Sequence, residues 1–260
     1  MMTRVKVAAV SYLNTVPFIY GIRHAGNDLC ADLLLSPPAQ CAENIANGSA
    51  DIALIPIAGI PDIPHIEPVG NYGISANDRV RTVVLMSVSP LEELHTIYLD
   101  PHSRTSVNLV RMLAAEWWRI DVKWKPLTGF AEVKPEKGVG YTLIGDKVFG
   151  YESLFPYAYD LAHAWRAWTG LPFVFAAWVA RKGIDPAVAD RFEEALRYGT
   201  THIPEAVAED LPRQERHVDR DTAVRYLTEN IDFTLDRPKR RSMELFLEKL
   251  RMGYWRVNPG

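Results

Sequence analysis

The chain has 260 residues, enough for one large domain or two smaller ones, and 48% of them are hydrophobic. Its 29 Lys and Arg are balanced by 32 Asp and Glu, which leaves a formal net charge of −3. This charge excludes the basic field that nucleic-acid backbones require, so we expect no nucleic-acid partner, and a small anionic ligand would need a local binding group.

The N-terminal segment MMTRVKVAAV passes into Ser-Tyr-Leu-Asn instead of a signal-peptide cleavage site. The longest apolar run, GLPFVFAAWVA, is shorter than the roughly 18 residues of a membrane span. We therefore expect a cytoplasmic protein without a membrane partner. Cys30, Cys41 and the scattered His residues show no metal-ligand spacing, which predicts two free thiols and no metal site.

The first sixty residues alternate between strand and helix patterns. Residues 5–10 are apolar apart from Lys6, as in a central parallel strand covered on both faces. A helix is predicted over residues 16–23. It is followed by a strand in LCADLLLSPP, a helix in AQCAENIANGSA and a short buried strand in ADIALIPIAGI. This β-α-β-α-β order predicts a parallel sheet.

Strand patterns dominate the middle of the chain, in RTVVLMSVS, HTIYLDP, VGYTLIGDKVFG and LPFVFAAWVARKG. HSRTSVNLVRMLAAEWW and YAYDLAHAWRAWTG predict helices, and so do VADRFEEALRYGTTHI, DRDTAVRYLTENI and RSMELFLEKLRMGYW near the C-terminus. The order predicts two α/β lobes between which the chain crosses twice. We expect lobe one to comprise residues 1–82 with 181–260, and lobe two residues 83–180.

Polar residues adjoin the ends of several predicted strands. Ligands of open α/β sheets bind at the carboxyl ends of strands, at switch points or between lobes. We therefore expect these positions to converge on one cleft between two facing sheets. They are residues 11–14, residues 55–58, Thr82, Ser87, residues 103–106, Gly145 and Asp146.

The segment DPHSRTSVNL predicts an anion-binding group. Ser103, Arg104, Thr105 and Ser106 occupy the start of a predicted helix, where backbone N–H groups and the helix dipole favour negative charge. Hydroxyl groups and a guanidinium at the same place would bind a carboxylate or a phosphate. The alternative is an ordinary N-cap by Ser103 with a solvated Arg104.

Other candidate residues also have structural alternatives. Asn14 can cap the following helix, and Tyr12 can belong to the core. Asp146 follows a glycine that lets a ligand approach the backbone, but it can equally cap a helix. We interpret the aromatic cluster as core, not as a ring-stacking site; its members are Trp165, Trp168, Phe173, Phe175 and Trp178. The chain has no P-loop, dinucleotide-binding, nucleophile-elbow or HExxH motif.

Six segments in order carry a family resemblance: AVSYLNTVPFIYGI, GSADIALIPIA, VRTVVLMS, IYLDPHSRTSVNLVRMLA, LIGDKVF and YAYDLAHAWRAWTGLPFVFAAWVAR. They resemble the chorismate dehydratase family of the futalosine route to menaquinone, and the resemblance fades after about Arg181. It implies a type II periplasmic-binding-protein-like fold with the ligand in the cleft between two α/β lobes. It also implies removal of water from chorismate to give 3-[(1-carboxyvinyl)oxy]benzoate, without a metal or an organic cofactor. The sister family that makes dihydroxynaphthoate has a different N-terminal motif.

The resemblance also implies roles for individual residues. Asn14 and Thr82 would lie at the reacting ring as catalytic residues, with the substrate's own carboxylate as a candidate base. The substrate-binding residues would be Ser11, Tyr12, Ile55, Pro56, Ser103, Arg104, Thr105, Ser106, Gly145 and Asp146. The family pattern usually has Ser at the position of Thr82, and Thr adds a methyl group and a stiffer side chain. The alternative function is therefore a non-catalytic binding protein for a small aromatic carboxylate.

Overall fold

The computed structural model describes residues 4–26, 29, 31–101, 103–213 and 218–253. It divides the chain into two compact units, Met1–Ser75 with Val174–Asp236 and Ala76–Phe173 with Arg237–Gly260. The chain therefore passes between the units three times, and not twice as the sequence predicts. Among the described residues, no helix is long and apolar enough to cross a membrane.

Both units combine a β-sheet with α-helices. The strands in the described parts of the chain are β1 (Val5–Ala9), β2 (Ala31–Leu35), β3 (Ile52–Pro56), β4 (Ile66–Ala76), β5 (Val83–Ser87), β6 (Thr96–Leu99), β7 (Lys123–Pro126), β8 (Val139–Ile144), β9 (Tyr157–Asp160), β10 (Phe173–Arg181) and β11 (Asp232–Thr234). The α-helices are α1 (Val16–His24), α2 (Pro38–Ala46), α3 (Arg104–Met112), α4 (Leu161–Thr169), α5 (Pro186–Thr201), α6 (Ile203–Asp210), α7 (Arg220–Arg225) and α8 (Arg237–Met252). Short 3₁₀ turns cover Leu13–Thr15 and Asp146–Gly150.

The sheet of the first unit has six strands in the order β11-β4-β10-β3-β1-β2. β1 runs parallel to both of its neighbours, β2 and β3, as the apolar pattern of residues 5–10 predicts. β10 is antiparallel to β3, with Ala176 opposite Pro56. Because β1 and β3 are parallel, they end at the same edge of the sheet. This first carboxyl edge carries residues 11–14 and 56–58.

The sheet of the second unit has five strands in the order β7-β6-β8-β5-β9. β6 runs parallel to β7 and β8, whereas β5 is antiparallel to β8 and β9. Val83 at the start of β5 therefore lies opposite Ile144 at the end of β8. The end of β6, the end of β8 and the start of β5 meet at one edge. This second carboxyl edge carries Thr82, Asp100, Pro101 and residues 103–106 and 145–147.

Four of the five aromatic residues of the predicted cluster are buried core residues, Trp165 and Phe173 in the second unit and Phe175 and Trp178 in the first. In the first unit the ring of Trp178 packs edge-to-face on Phe18 and Phe192, at centroid distances of 5.7 and 5.0 Å. In the second unit Trp165 packs on Phe173 at 5.3 Å. Trp168 is half-buried beneath the ammonium group of Lys249, which lies 4.3 Å from the ring centroid.

The boundaries of the two units differ from those predicted for the lobes. They fall at 75/76 and 173/174 where the sequence predicts 82/83 and 180/181, and α8 belongs to the second unit where we expected the first. Phe246 of α8 packs on Trp165 at 6.1 Å and on Phe173 at 5.4 Å. Ser242 of α8 also accepts a hydrogen bond from the indole N–H of Trp165 over 2.9 Å. An amphipathic helix buries its apolar face wherever a partner is available, and its own sequence does not name that partner.

Several elements differ from the sequence patterns. Tyr157–Asp160, predicted as the start of a helix, is strand β9, and it pairs with β5 so that Ser87 lies opposite Tyr157. β4 was not predicted because Pro68, Gly70 and Gly73 interrupt its pattern. β7 is an edge strand rich in Lys and ended by Pro, which hides its strand character. β11 follows the strand predicted as the last.

The structure describes one of the two cysteines, Cys41. Cys41 is a free thiol and is fully buried in the first unit, as predicted. Burial raises the pKa of the Cys41 thiol to about 11, so the group stays protonated at physiological pH. Cys30 lies outside the described residues.

Candidate functional site

The loop after β1 is held in shape by Thr15. Its hydroxyl donates hydrogen bonds to the carbonyls of Val10 and Tyr12, over 2.5 and 2.7 Å. Asn14 lies in the 3₁₀ turn between these points and is half-buried. Helix α1 begins at Val16 with Thr15 as its N-cap residue, so Asn14 is not the cap.

The carboxamide of Asn14 is uncommitted at the first carboxyl edge. It makes no hydrogen bond to the residues that the structure describes. A carboxamide offers two N–H donors and one acceptor oxygen, and a half-buried one at a strand end is well suited to a ligand hydroxyl or carboxylate. Ser11 and Tyr12 beside it are also half-buried, and Tyr12 packs against the core cluster of this unit.

The end of β3 contributes less surface than the sequence predicts. Ile55 pairs with Ala177 and is fully buried in the same core cluster as Ala8 and Val10. Its side chain is therefore committed to packing, whereas Pro56 is half-buried at the first carboxyl edge. In this unit the structure thus brings together Ser11, Tyr12, Asn14 and Pro56.

Thr82 begins the group at the second carboxyl edge. It is fully buried, and its carbonyl accepts a hydrogen bond from the N–H of Gly145 over 2.9 Å. The preceding N–H, of Arg81, donates to the carboxylate of Asp160 over 2.7 Å. Asp160 is itself buried, which raises its pKa, while its backbone hydrogen bonds oppose the rise. Asp160 also caps α4 through the N–H of Ala162, so the start of β5 is anchored to the start of a helix.

Residues 103–106 form the start of α3 at the same edge. The hydroxyl of Ser103 accepts hydrogen bonds from the N–H of Ser106 over 3.2 Å and from the hydroxyl of Ser106 over 3.0 Å. Ser103 is therefore an N-cap, which was the alternative to its role in an anion site. Thr105 and Ser106 are buried, whereas Arg104 is exposed to solvent. The buried hydroxyls lie where the positive end of the α3 dipole favours an anion.

Gly145 and Asp146 complete the predicted set in the second unit. Gly145 has φ of 75° and ψ of −167°, a conformation that is almost confined to glycine. The glycine turns the chain at the end of β8 into the 3₁₀ turn that contains half-buried Asp146. Thr82, residues 103–106, Gly145 and Asp146 thus lie at one edge.

One residue pair at this edge was missed by sequence reasoning. The ammonium of Lys147 lies 2.7 Å from the carboxylate of Asp100, whose side chain has no solvent exposure. The side chain of Lys147 retains 21% of its exposure, and its burial lowers its pKa against the opposing effect of Asp100. The available signal was an acidic residue directly after one buried strand and a basic residue shortly after another.

Ser87 does not belong to this group. It lies opposite Gly140 at the other end of β5, where its hydroxyl accepts a hydrogen bond from the N–H of Ser89 over 2.9 Å. The reason is the reversed direction of β5, which places the two ends of the strand at opposite edges of the sheet. In the described parts of the chain, no group of three or more His, Cys, Asp or Glu residues is placed to hold a metal ion.

Comparison with known structures identifies the fold. Protein AF1704 from Archaeoglobus fulgidus is 14% identical, with a TM-score of 0.74 over 96% of this chain and 97% of that one. The alkanesulfonate-binding protein SsuA from Xanthomonas axonopodis pv. citri is 11% identical, with a TM-score of 0.69 over 99% of this chain and 94% of that one. A Candida albicans protein described as having the generic periplasmic binding protein fold is 13% identical, with a TM-score of 0.64 over 96% and 91% of the two chains. The expected periplasmic-binding-protein-like fold is confirmed.

Comparison of sequences identifies the family. A chorismate dehydratase from Thermus thermophilus is 24% identical over 265 aligned residues, which cover 94% of each chain. The sequence model of a protein family described as menaquinone biosynthesis matches residues 5–252. This match spans both units, all of the strands listed above and every candidate residue at the two carboxyl edges. The chain therefore belongs to the menaquinone biosynthesis family.

Proposed function

We propose that this protein is a chorismate dehydratase, which removes water from chorismate to give 3-[(1-carboxyvinyl)oxy]benzoate on the futalosine route to menaquinone. The observation that carries the proposal is the chorismate dehydratase from Thermus thermophilus, which aligns over 94% of both chains. The family match over residues 5–252 supports the same pathway. The enzyme would be a lyase, and its reaction needs neither a metal nor an organic cofactor.

The second carboxyl edge supports the recognition of a dianionic substrate. Chorismate carries two carboxylates, and each must replace its water shell by donors of the protein. The buried hydroxyls of Thr105 and Ser106 lie at the positive end of α3, and we propose them as donors for one of the carboxylates; the hydroxyl of Ser106 would exchange its acceptor Ser103 for the carboxylate. Ser103 would support them as the N-cap, and Gly145 would let the ligand approach the backbone.

The first carboxyl edge supports a role for Asn14 in the reaction. Dehydration breaks a C–H bond at the ether-bearing ring carbon and the C–O bond of the neighbouring hydroxyl, and the electron pair of the C–H bond completes the aromatic ring. The proton passes to a base, for which the substrate's own carboxylate is the candidate, and the resulting carboxyl group gives the proton to the departing hydroxyl, which leaves as water. We assign to Asn14 the donation of a hydrogen bond to the departing hydroxyl, because its carboxamide is half-buried and makes no hydrogen bond to the residues that the structure describes.

Aromatisation supplies much of the driving force, so the protein is required mainly to orient the substrate. Thr82 is proposed to lie at the reacting ring. Two hydrogen bonds fix its backbone: the N–H of Gly145 donates to the carbonyl of Thr82, and the N–H of Arg81 donates to the carboxylate of Asp160. Ser11, Tyr12 and Pro56 would provide further contacts at the first carboxyl edge. Ile55 would contribute through its backbone, since its side chain is buried in the core.

Thr82 also favours a second candidate function. By the family resemblance this position is usually Ser, and the additional methyl group of Thr occupies space in a fully buried position. A protein that binds a small aromatic carboxylate without converting it would tolerate this change. The similarity in fold to an alkanesulfonate-binding protein is compatible with that alternative.

The test is incubation of the purified protein with chorismate, with the product followed by chromatography. We expect turnover that is lost in Asn14→Ala and retained in Asn44→Ala, a matched control on α2 whose carboxamide oxygen instead accepts a hydrogen bond from Gln40. Circular dichroism shows whether both variants are folded. Saturable binding of chorismate without turnover, in wild type and in Thr82→Ser alike, would support the binding protein and exclude the dehydratase.

A further inference from the structure

The ion pair of Asp100 and Lys147 is unusual in its degree of burial. The carboxylate of Asp100 has no solvent exposure, and the ammonium of Lys147 lies 2.7 Å from it. Removing two charges from water is costly, and a buried ion pair is often no more stabilising than a well-packed apolar pair. Its presence at a strand end where ligands bind therefore calls for a reason other than stability.

Joining the strand ends is not that reason, because backbone hydrogen bonds already do it. The N–H of Asp100 donates to the carbonyl of Thr142 over 3.3 Å, which ties the end of β6 to β8. The N–H of Gly145 donates to the carbonyl of Thr82 over 2.9 Å, which ties the end of β8 to β5. The three strands are thus aligned at the second carboxyl edge without the ion pair.

Lys147 is better placed than Arg104 to bind an anion at this edge. These are the two cations among the described residues of the segments that form it. Arg104 is exposed, where water weakens its electrostatic interactions, whereas 21% of the Lys147 side chain is exposed. The ammonium has three donors and can bridge two carboxylates.

We propose that Lys147 binds a carboxylate of the substrate at the second carboxyl edge, and that Asp100 is the positioning residue that directs its ammonium. The inference rests on the proposed function. To the hydroxyl groups at the start of α3 it adds a cation, Lys147, which lies in the turn after β8. Asp100 and Asp146 are the acidic groups that act on Lys147. Their two negative charges exceed the single positive charge of Lys147, so the N–H donors of the ammonium and the dipole of α3, and not a net positive charge, would attract the carboxylate.

The experiment measures kcat and KM for chorismate in four variants. Lys147→Gln removes the cation but leaves the carboxylate of Asp100 buried without it, so the variant can fail to fold. The double variant Asp100→Asn with Lys147→Gln removes both charges and avoids that problem. Lys147→Arg keeps the charge. Lys249→Gln is the matched control, because Lys249 has the same 21% exposure and lies 2.6 Å from the carboxylate of Glu116.

We expect the double variant to raise KM by about ten- to a hundredfold, the range for losing a charged hydrogen bond to the substrate. The kcat should stay within about threefold, because a carboxylate contact binds ground state and transition state alike. Lys147→Arg should recover part of the loss, and Lys249→Gln should match wild type. If the ion pair were purely structural, its removal would lower thermal stability without raising KM selectively over kcat.

A folded double variant with a KM within about twofold of wild type would overturn the inference and leave the proposed function intact. A wild-type protein that neither binds nor converts chorismate would overturn the proposed function, and the inference with it. Loss of kcat in the double variant at unchanged KM would also contradict substrate binding by Lys147.

Discussion

The N–H of Gly145 donates a hydrogen bond to the carbonyl of Thr82 over 2.9 Å, and this bond joins the end of β8 to the start of β5. It links two residues that sequence reasoning assigned to the site from separate segments. Gly145 can make the bond while turning the chain because its φ is 75° and its ψ is −167°. The position of Thr82 thus depends on a backbone conformation that glycine alone adopts readily.

Replacement of Gly145 by Ala should therefore destabilise the protein and impair its site. We expect the free energy of unfolding to fall by about 1–3 kcal/mol, the range for a strained backbone conformation. Gly170→Ala is the control in the same unit, because Gly170 has φ of 74° and ψ of 0°, the left-handed helical region, and its added methyl group would meet open space. Urea denaturation compares the two variants. An equal or smaller loss in Gly145→Ala would show that the turn adapts to a side chain.

The hydroxyl of Ser106 provides a separate test of the anion site. Ser106→Ala keeps the N-cap bond from its own N–H to Ser103 and removes only the hydroxyl. We expect an affinity for chorismate weaker by about 1–3 kcal/mol, the value of a hydrogen bond to a charged group. Isothermal titration calorimetry measures this loss.

Ser89→Ala is the matched control for that measurement. Ser89 is equally buried, and its hydroxyl accepts the N–H of Gly138 over 3.0 Å at the opposite edge of the same sheet. Its loss should lower stability without changing the affinity. Unchanged binding by Ser106→Ala would place the carboxylate elsewhere.

The shared position of many candidate residues could be predicted because parallel strands end together. Residues 11–14 follow β1, and 56–58 follow β3, so an apolar pattern with a polar exit was sufficient to place them at one edge. Ser87 was misplaced because the pattern of a buried strand does not reveal its direction. The pairing of Asp100 with Lys147 joins residues 47 positions apart, and only the register of β6 on β8 brings them together. The partner of α8 was missed for the same reason, since it is set by tertiary contacts.

The packing of α1 on α5 makes a prediction for the first unit. A methyl group at Gly21 would overlap the carbonyl oxygen of Ala195, and one at Gly199 would overlap that of Pro17. The backbones of the two helices are therefore in contact, and α1 follows directly on the loop that contains Asn14. Gly21→Ala should lower the free energy of unfolding by about 1–3 kcal/mol or more, because the helices must separate.

Thermal denaturation of Gly21→Ala checks this expectation. Gly129→Ala is the control, since a methyl group there would meet open space at an ordinary backbone conformation. We expect its melting temperature to stay close to that of wild type. Equal melting temperatures for the two variants would mean that α1 can move away from α5 without loss.

The buried thiol of Cys41 predicts a specific loss of stability at high pH. Burial raises its pKa from 9.0 to about 11, so between these values the unfolded chain releases a proton that the native protein retains. The unfolded state then binds fewer protons, and the free energy of unfolding falls as the pH rises. The full effect is about 2–3 kcal/mol at pH 11, from a shift of two units.

In a Cys30→Ser background, where Cys41 is the only thiol, urea denaturation from pH 8 to pH 11 should show this decline. The additional Cys41→Ala substitution removes the titrating group, and its methyl-sized side chain creates a loss that does not depend on pH. The two stability curves should therefore converge as the pH rises, and parallel curves would show that the thiol ionises equally in both states.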